Sequence, residues 1–418
     1  SGDIKNVEVI TNPGAYYAAD VKSVIRIRTK PPKGDGFSGM LRSDNGFQHY
    51  FRTGNSLDLK YRTGGLEIFA NYGWWRGNTR FDRLNDMNTT TSKGTYRQFV
   101  STIGKESYND MTGKLGFSYM INDRHSIGAY YQNSWNRHNT DGTIPSEIWQ
   151  NGILLDLYNS DVHNQSTAVP RHYANIYYNG IVGKLNIDFN ADYIWYKSRE
   201  LTFNNELSEM GNDREVNTSS INRNRMFAEK LVMTYPLWKG QIEIGEEYTN
   251  TRTTNLFSAN IPETPNADNR VDENNIAVFA ELGQQFGHFM IGAGLRYEHV
   301  KFNYYEMGLL RDGQSKTYNN IFPSLNIATQ VGKVRMGLNY TGKTIRPGYD
   351  QLDGAISYIN RLTYETGNPY LKPTKLQTVE YMAQWRRFFA QLSYTYFKDG
   401  VYHITGPYGP DGETTIIR

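Results

Sequence analysis

The stretch of residues 184–196, KLNIDFNADYIWY, predicts the fold class of the whole chain. Every second residue from Leu185 to Trp195 is apolar or aromatic, while the alternate positions from Asn186 to Asp192 are all Asn or Asp. A period of two places neighbouring side chains on opposite faces of a β-strand. The run is about twice as long as a common strand of about five residues, and a strand of about ten residues spans a bilayer at a tilt. The pattern therefore predicts a membrane-spanning β-strand.

The same alternation recurs throughout the chain. Clear examples are residues 66–74, 115–119, 289–297 and 334–340. We count about fifteen alternating runs between Phe37 and His403. A barrel in which every second residue faces a watery lumen tolerates a composition with only 38% hydrophobic residues. The repeated pattern predicts an all-β protein built from many membrane-spanning strands.

Two kinds of connection alternate between these runs. Short turns are expected at 63–65, 122–124, 182–183, 237–240, 286–288, 331–333 and near 386–387. Long polar segments occupy the other ends, at about 78–105, 139–166, 200–222, 255–270, 304–318 and 345–374. Membrane barrels have short periplasmic turns and long external loops, whereas a soluble β-sandwich, the alternative, is not expected to sort its loops by length. We predict a transmembrane, antiparallel, up-and-down β-barrel.

Composition excludes several other classes. The 418 residues include 14% aromatics, which argues against disorder, and no apolar run approaches the roughly 18 residues of a spanning helix. The absence of cysteine excludes disulfides, Cys-ligated zinc and thiol nucleophiles. A net charge of +3 without a basic block gives no indication of nucleic-acid binding. The eight His residues lack metal-ligand spacing, so no metal or cofactor is expected.

One motif suggests nucleotide binding, but its position in the sequence argues against that function. Residues 337–344, GLNYTGKT, match the phosphate-binding loop pattern G-x-x-x-x-G-K-[ST]. Such a loop lies between a strand and the start of a helix, but this motif lies inside an alternating run followed by Pro347 and Gly348. We therefore predict a strand here rather than a nucleotide site.

The N-terminal residues carry a family resemblance. Residues 4–17, IKNVEVITNPGAYY, and 24–30, VIRIRTK, resemble the end of the plug domain of TonB-dependent outer-membrane transporters. The family has a glycine pair where this chain has Lys22 and Ser23, and an Asn where it has Arg26. The departures concern the plug rather than the barrel.

Three further motifs resemble the Bacteroidetes-type branch of outer-membrane barrels: GLRYE at 294–298, RPGYDQL at 346–352 and GNPYLKP at 367–373. Together they extend the resemblance over nearly the whole chain. Such transporters have about 22 strands and a plugged lumen. The resemblance implies that residues 1–34 are the C-terminal end of a plug and residues 35–418 an incomplete barrel. About seven strands, most of the plug and the TonB-docking segment are then expected outside this chain.

The end of the chain supports the same expectation. The last predicted strand covers about 389–403 and runs outward, and residues 406–418 then begin another external loop. Single-chain bacterial barrels have even strand numbers. An odd count of about fifteen strands is therefore what an incomplete barrel would show.

The resemblance also implies a function. A member of this family resides in the outer membrane, in contact with its lipid, and imports a scarce, bulky nutrient such as a glycan, an iron chelate, cobalamin or a peptide. The proton-motive force reaches it through the TonB–ExbB–ExbD complex, and glycan-importing members carry a surface lipoprotein lid. No covalent chemistry is implied, so we do not expect an enzyme. The alternatives are a binding or adhesion barrel without energised transport and, less favoured because the His residues are scattered, an outer-membrane hydrolase.

Two groups of residues are candidates for the site. Aromatic side chains on loops and outer strand ends suit stacking on a ligand, although girdle or loop-packing roles are the alternative. These are Trp75, Trp149, Tyr158, Tyr349, Tyr358 and Tyr364. Arg296 and Glu298 face the lumen by alternation and are expected to anchor the plug through charge-assisted hydrogen bonds. Pro347-Gly348 and Asn368-Pro369 are expected to end strand pairing and to form turns.

Overall fold

The structure, a computed structural model, describes residues 4–10, 14–21, 23–29, 34–91, 93–409 and 414–418. Residues 11–13, which belong to the stretch that resembles a plug, and the departure at Lys22 lie outside these ranges. Within them, no helix is long and apolar enough to cross a membrane. The described residues form the following strands: β1 (Ile4–Ile10), β2 (Val24–Thr29), β3 (Gly36–Phe47), β4 (Phe51–Thr63), β5 (Leu66–Thr91), β6 (Gly94–Asn122), β7 (His125–Gln150), β8 (Ile153–Val182), β9 (Leu185–Ser208), β10 (Arg214–Leu237), β11 (Gly240–Ala259), β12 (Ala267–Phe286), β13 (Phe289–Glu306), β14 (Leu309–Leu310), β15 (Lys316–Val331), β16 (Val334–Ile345), β17 (Ile356–Asn360), β18 (Thr363–Thr366), β19 (Thr374–Trp385), β20 (Phe388–Lys398), β21 (Thr405–Tyr408) and β22 (Thr414–Ile417).

One large antiparallel sheet dominates the structure. Its continuous path runs β3 to β13, leaves out the short β14, and continues through β15, β16, β19 and β20. Strands that are neighbours along this path are hydrogen-bonded partners, which is an up-and-down arrangement. The predicted all-β, antiparallel fold class is confirmed, and the path contains the expected fifteen strands. β1 and β2 pair separately as an antiparallel hairpin.

The predicted short turns are confirmed. Each predicted position falls between two paired strands of the large sheet. Gly64, Gly183, Gly287 and Gly332 take φ values of 54°, 63°, 58° and 60° at the first position of two-residue turns. Turns of this kind require a positive φ there, which glycine adopts without a steric penalty.

The prediction of long loops at the opposite ends is wrong for most of its range. β5 continues to Thr91 and β6 begins at Gly94, so 78–105 is almost entirely strand. Likewise, β7 and β8 are separated only by residues 151–152. Beyond a bilayer both faces of a hairpin meet water, so the apolar alternation disappears while backbone pairing continues. The sequence pattern ends where the membrane ends, and not where the strand ends.

The C-terminal boundaries also differ from the prediction. The last strand of the large sheet ends at Lys398 rather than near His403, because Asp399 takes a φ of 59° that interrupts the extended backbone. Residues 406–418, expected to begin an external loop, contribute to β21 and β22. These two strands join β17 and β18 in a four-stranded sheet, in which β22 runs parallel to β18.

Side chains on the large sheet separate into two faces. On β13, Leu295 and Tyr297 are 52% and 39% exposed, whereas Arg296 and Glu298 are both 1% exposed. The exposed apolar face suits lipid contact, and the buried polar face lines the interior. The alternation predicted for 289–297 is therefore confirmed, and the packed polar groups lie inside the curved sheet.

Candidate functional site

Residues 14–21 lie against the inner face of the large sheet. Lys230 Nζ on β10 donates to the Tyr16 carbonyl at 2.5 Å, and Lys343 Nζ on β16 donates to the Val21 carbonyl at 2.7 Å. The Thr344 backbone N–H donates to the Ala19 carbonyl at 3.0 Å. Three wall groups thus satisfy carbonyls of this interior segment, which holds it in place.

Buried charges join the same segment to β13. Glu298 Oε1 accepts from Arg296 Nε at 2.6 Å and from the Ala19 N–H at 3.4 Å. Its other oxygen accepts from Arg346, which also donates to Asp20 at 3.2 Å. Arg296 and Glu298 therefore lie at the junction between the wall and residues 14–21. Their anchoring role stays a prediction, and the sequence reasoning missed Arg346 as a third member.

The segment approaches the wall closely at two glycines. A Cβ added at Gly294 would lie 2.8 Å from Ala15 Cβ and 2.6 Å from Ser324 Oγ. A Cβ added at Gly14 would lie 2.5 Å from a carboxylate oxygen of Glu281. Neither separation is compatible with a side chain at these positions unless neighbours shift. The glycine of the GLRYE motif thus lets the wall contact the interior segment.

A cavity of about 1090 Å³ lies among the outer ends of the strands. One side is formed by inward-facing residues of β9, β10 and β11, which we call the polar wall: Tyr196, Ser198, Glu200, Thr202, Thr218, Ser220, Asn222, Asn224, Thr253 and Asn255. Residues between 349 and 371, and parts of 400–404 and 417–418, also line the cavity. The cavity is large enough to hold a ligand of several rings.

Strand register arranges the polar wall as a two-dimensional grid. Asn222 lies opposite Ser198 on β9 and opposite Asn255 on β11. Ser220, one step along the same face, lies opposite Glu200. Sequence reasoning missed this wall because residues 200–222 were predicted to be a loop. The usable signal was Ser, Thr or Asn at every second position of 218–224, a period of two with polar groups on the inner face.

Two of the aromatic candidates line the cavity. Tyr349 packs against the buried cluster of Val271, Phe302, Tyr304 and Leu352 and lines the cavity. Burial raises the pKa of Tyr349 above its ordinary value, so its hydroxyl stays protonated. Tyr358 also lines the cavity. These two rings are the sequence-predicted aromatics that the structure brings to one site.

Asp353, which also lines the cavity, is fixed by three donors. It accepts hydrogen bonds from Asn255, from Asn269 at 2.6 Å and from the Ala355 N–H at 3.0 Å. Three donors to one carboxylate stabilise its charge and hold the loop against β11 and β12. The nearby Gly367 has no room for a side chain, since an added Cβ would lie 2.4 Å from the Asp353 carbonyl. The expected turns are present here, with β16 ending at Ile345 before Pro347-Gly348.

The hairpin of β17 and β18, residues 356–366, is held by buried charges on neighbouring strands. Tyr358 OH donates to Glu206 at 2.6 Å, and Arg361 Nε donates to the same carboxylate at 2.7 Å. Arg361 also pairs with Asp156 at 3.3 Å and lies 4.7 Å from the centre of the Tyr158 ring. Burial, and then the charge of Glu206, raises the pKa of Tyr358. The hairpin is therefore docked beside the cavity rather than extended into solvent.

The other four aromatic candidates lie outside the cavity lining. Tyr158 and Tyr364 are buried at 5% and 1% exposure and pack the hairpin. Trp149 donates from Nε1 to Glu147 at 3.0 Å near the end of β7. Trp75 is 41% exposed on β5, which is four strands away from β9 in the sheet order. The sequence alone gave no signal that separates these tyrosines from those at the cavity.

Comparisons with known proteins agree with this architecture. Residues 182–417 match the model of the outer membrane protein beta-barrel family. A search of curated protein sequences finds no match. The fold is similar to that of the ferric enterobactin receptor from Pseudomonas aeruginosa, with a TM-score of 0.59 and 16% identity over 99% of this chain and 62% of that one.

Two further solved structures share the fold. The hemophore receptor HasR of Serratia marcescens has a TM-score of 0.55 and 11% identity, covering 98% of this chain and 63% of its own. The alcaligin outer-membrane receptor of Bordetella pertussis has a TM-score of 0.50 and 9% identity, covering 100% of this chain and 62% of its own. This chain thus spans less than two thirds of the length of these receptors. At such identities the likeness concerns the fold.

Proposed function

This chain belongs to the outer membrane protein beta-barrel family, and from that premise we propose that it is the main part of an outer-membrane receptor that imports a scarce, bulky nutrient. Two features of the lumen support the proposal. A polar and aromatic cavity of about 1090 Å³ lies among the outer strand ends, and an interior segment is bonded to the wall elsewhere in the same lumen. A ligand site together with an internal obstruction is the arrangement an energised importer needs.

In this proposal, residues 1–34 are the C-terminal end of a plug and residues 35–418 are part of the barrel. Glu298, Arg296 and Arg346 would anchor the plug, since Glu298 accepts from the Ala19 N–H, Arg346 donates to Asp20 and Arg296 holds Glu298. Buried ion pairs lose much of their stability when one partner moves away. Opening a path would therefore need work from outside the barrel, which we assign to TonB with ExbB and ExbD. The Bacteroidetes-type origin and the surface lipoprotein lid stay predictions.

We assign direct ligand contact to Tyr349, Tyr358 and the polar wall. Tyr158 and Tyr364 would act by holding the hairpin that carries Tyr358. Trp75 and Trp149 would meet only a ligand that extends beyond the cavity. None of these groups needs to form or break a covalent bond, and we propose transport without enzymatic chemistry.

The test is a growth profile of a strain that lacks the gene. The deletion strain is grown on glycan, haem, siderophore, cobalamin and peptide sources, and is complemented with the full-length gene or with a version that lacks the TonB-docking segment. Energised import predicts a defect on one class of nutrient that only the full-length gene restores. Growth restored equally by the truncated gene would favour a binding or adhesion barrel instead.

A further inference from the structure

We propose that the cavity binds a neutral oligosaccharide and not an anionic ferric chelate. This inference rests on the proposed function, because it names the ligand class of the same site. The solved structures with a similar fold include a ferric enterobactin receptor, so the fold alone would suggest an iron chelate. The side chains that line this cavity indicate a different ligand.

The lining of the cavity carries more negative than positive groups. Its carboxylates are Glu200, Asp350, Asp353 and Glu365, and the cationic groups among its described residues are Arg418 and, when protonated, His403. A multiply charged anion would lose hydration on entering and would meet more negative than positive charge. Sites for anions are built from clustered Arg and Lys or from oriented backbone N–H groups. The part of the lining that this chain supplies therefore disfavours an anionic chelate and accepts a neutral molecule.

The polar groups of the wall are regularly spaced. Opposite side chains on neighbouring strands have Cβ atoms about 4.5–5.5 Å apart, and side chains two positions along one strand are about 6.6 Å apart. This grid repeats on the scale of one pyranose ring. Hydroxyl and amide groups such as those of Ser220, Asn222 and Thr253 both donate and accept hydrogen bonds. Sugar hydroxyls have the same dual character, so a row of rings can be paired along the wall.

The cavity combines the polar wall with tyrosine rings. Tyr349 and Tyr358 line the cavity together with the wall. An aromatic ring offers a flat apolar surface to the C–H face of a sugar, while the hydroxyl edges of the sugar remain free for the polar wall. A cavity of about 1090 Å³ is slightly larger than the usual range of about 300–1,000 Å³ for ligand pockets. Several rings can therefore be held at once.

The experiment is calorimetric titration of the purified full-length receptor in detergent. The neutral probes are maltohexaose, cellohexaose, xylohexaose and mannohexaose, and the anionic probe is ferric enterobactin. We expect saturable binding of at least one hexasaccharide and no measurable binding of ferric enterobactin. Tight binding of ferric enterobactin, or failure of all four hexasaccharides to bind, would overturn the inference.

Matched variants locate the binding. Ser220 lines the cavity and Ser219 lies on the opposite face of the same strand; Thr253 and Thr254 form a second such pair on β11. Loss of one neutral hydrogen bond predicts about three- to tenfold weaker hexasaccharide binding for Ser220→Ala and for Thr253→Ala. Ser219→Ala and Thr254→Ala should bind as the unchanged receptor does. Equal effects within each pair would place the ligand elsewhere.

The titration needs neither TonB nor a proton gradient, so the two proposals can fail separately. Hexasaccharide binding by a receptor whose deletion causes no growth defect would refute import and leave the ligand class standing. A growth defect specific for an iron source, restored only by the full-length gene, would support import and refute the oligosaccharide.

Discussion

Replacing Tyr358 by Phe removes one oxygen from the contact that docks the 356–366 hairpin. In the structure this hydroxyl donates at 2.6 Å to Glu206, whose side chain is 1% exposed. A hydrogen bond to a charged group contributes about 1.5–3 kcal/mol. Arg361 still donates to the same carboxylate at 2.7 Å in the variant, so the carboxylate is not left unpaired. We therefore expect a loss at the lower end, about 1.5–2 kcal/mol of hairpin docking free energy.

The assay is amide hydrogen exchange of residues 356–366 followed by mass spectrometry. A loss of about 1.5–2 kcal/mol predicts roughly 10- to 30-fold faster exchange of the paired hairpin amides, because exchange there requires undocking. The control is Tyr402→Phe, which alters a tyrosine that lines the same cavity but is 78% exposed. It should leave the exchange rates unchanged.

Two results would refute this reasoning. If Tyr358→Phe changes hairpin exchange by less than about twofold, the hydrogen bond does not dock the hairpin. If exchange accelerates equally in β9 and β10, the variant has destabilised the barrel wall and the contact is not local.

Three more predictions concern the interior segment and the hairpin. Gly294→Val should displace residues 14–21 at a cost of about 1–3 kcal/mol, seen as faster proteolysis there, while Gly292→Val should not, since its added Cβ meets only Asn326 Cβ at 3.7 Å. Glu298→Gln should weaken attachment of the same segment by about 1.5–3 kcal/mol in urea titrations, because it removes the carboxylate that Arg296 and Arg346 share while Arg296 keeps Glu247 and Arg346 keeps Asp20. Asp20→Asn, at a 39% exposed side chain, should cost under about 1 kcal/mol. The pKa of Tyr358 is raised in the folded state. The Tyr358 hydroxyl therefore contributes fully to hairpin docking stability below about pH 10, the ordinary tyrosine value, and this contribution is lost as the pH rises further. Hairpin exchange, corrected for its intrinsic pH dependence, should accelerate only above that pH.

The sequence was sufficient to predict the membrane-facing part of the fold. In 184–196 and 289–297 one strand face contacts lipid and the other faces the lumen, so apolar and polar residues alternate along the sequence. The short turns were equally readable, because Gly64 and Gly287 mark the positive φ that two-residue turns need. Beyond the bilayer that contrast disappears, which is why the extension of β5 to Thr91 was not predicted.

Only part of the site could be predicted, because contacts between distant parts of the chain leave no local sequence pattern. Alternation placed Arg296 and Glu298 on the inner face, and that placement is correct. Lys230 and Arg346 contact residues more than two hundred positions earlier in the chain, and no local pattern reports such a pairing. Tyr358 lines the cavity while Tyr364 is buried, because of the way in which their hairpin folds back onto the wall. The sequence of this short segment does not indicate which of the two tyrosines faces the cavity.

The most direct test of the central claim is accumulation of the labelled nutrient in the periplasm of intact cells. The nutrient is the one that the deletion strain fails to use, and accumulation is measured with and without a protonophore in cells that carry the full-length gene. Energised import predicts a periplasmic concentration above that of the medium, falling to the level of surface binding when the proton gradient is dissipated. The same accumulation with and without the gradient would contradict the account.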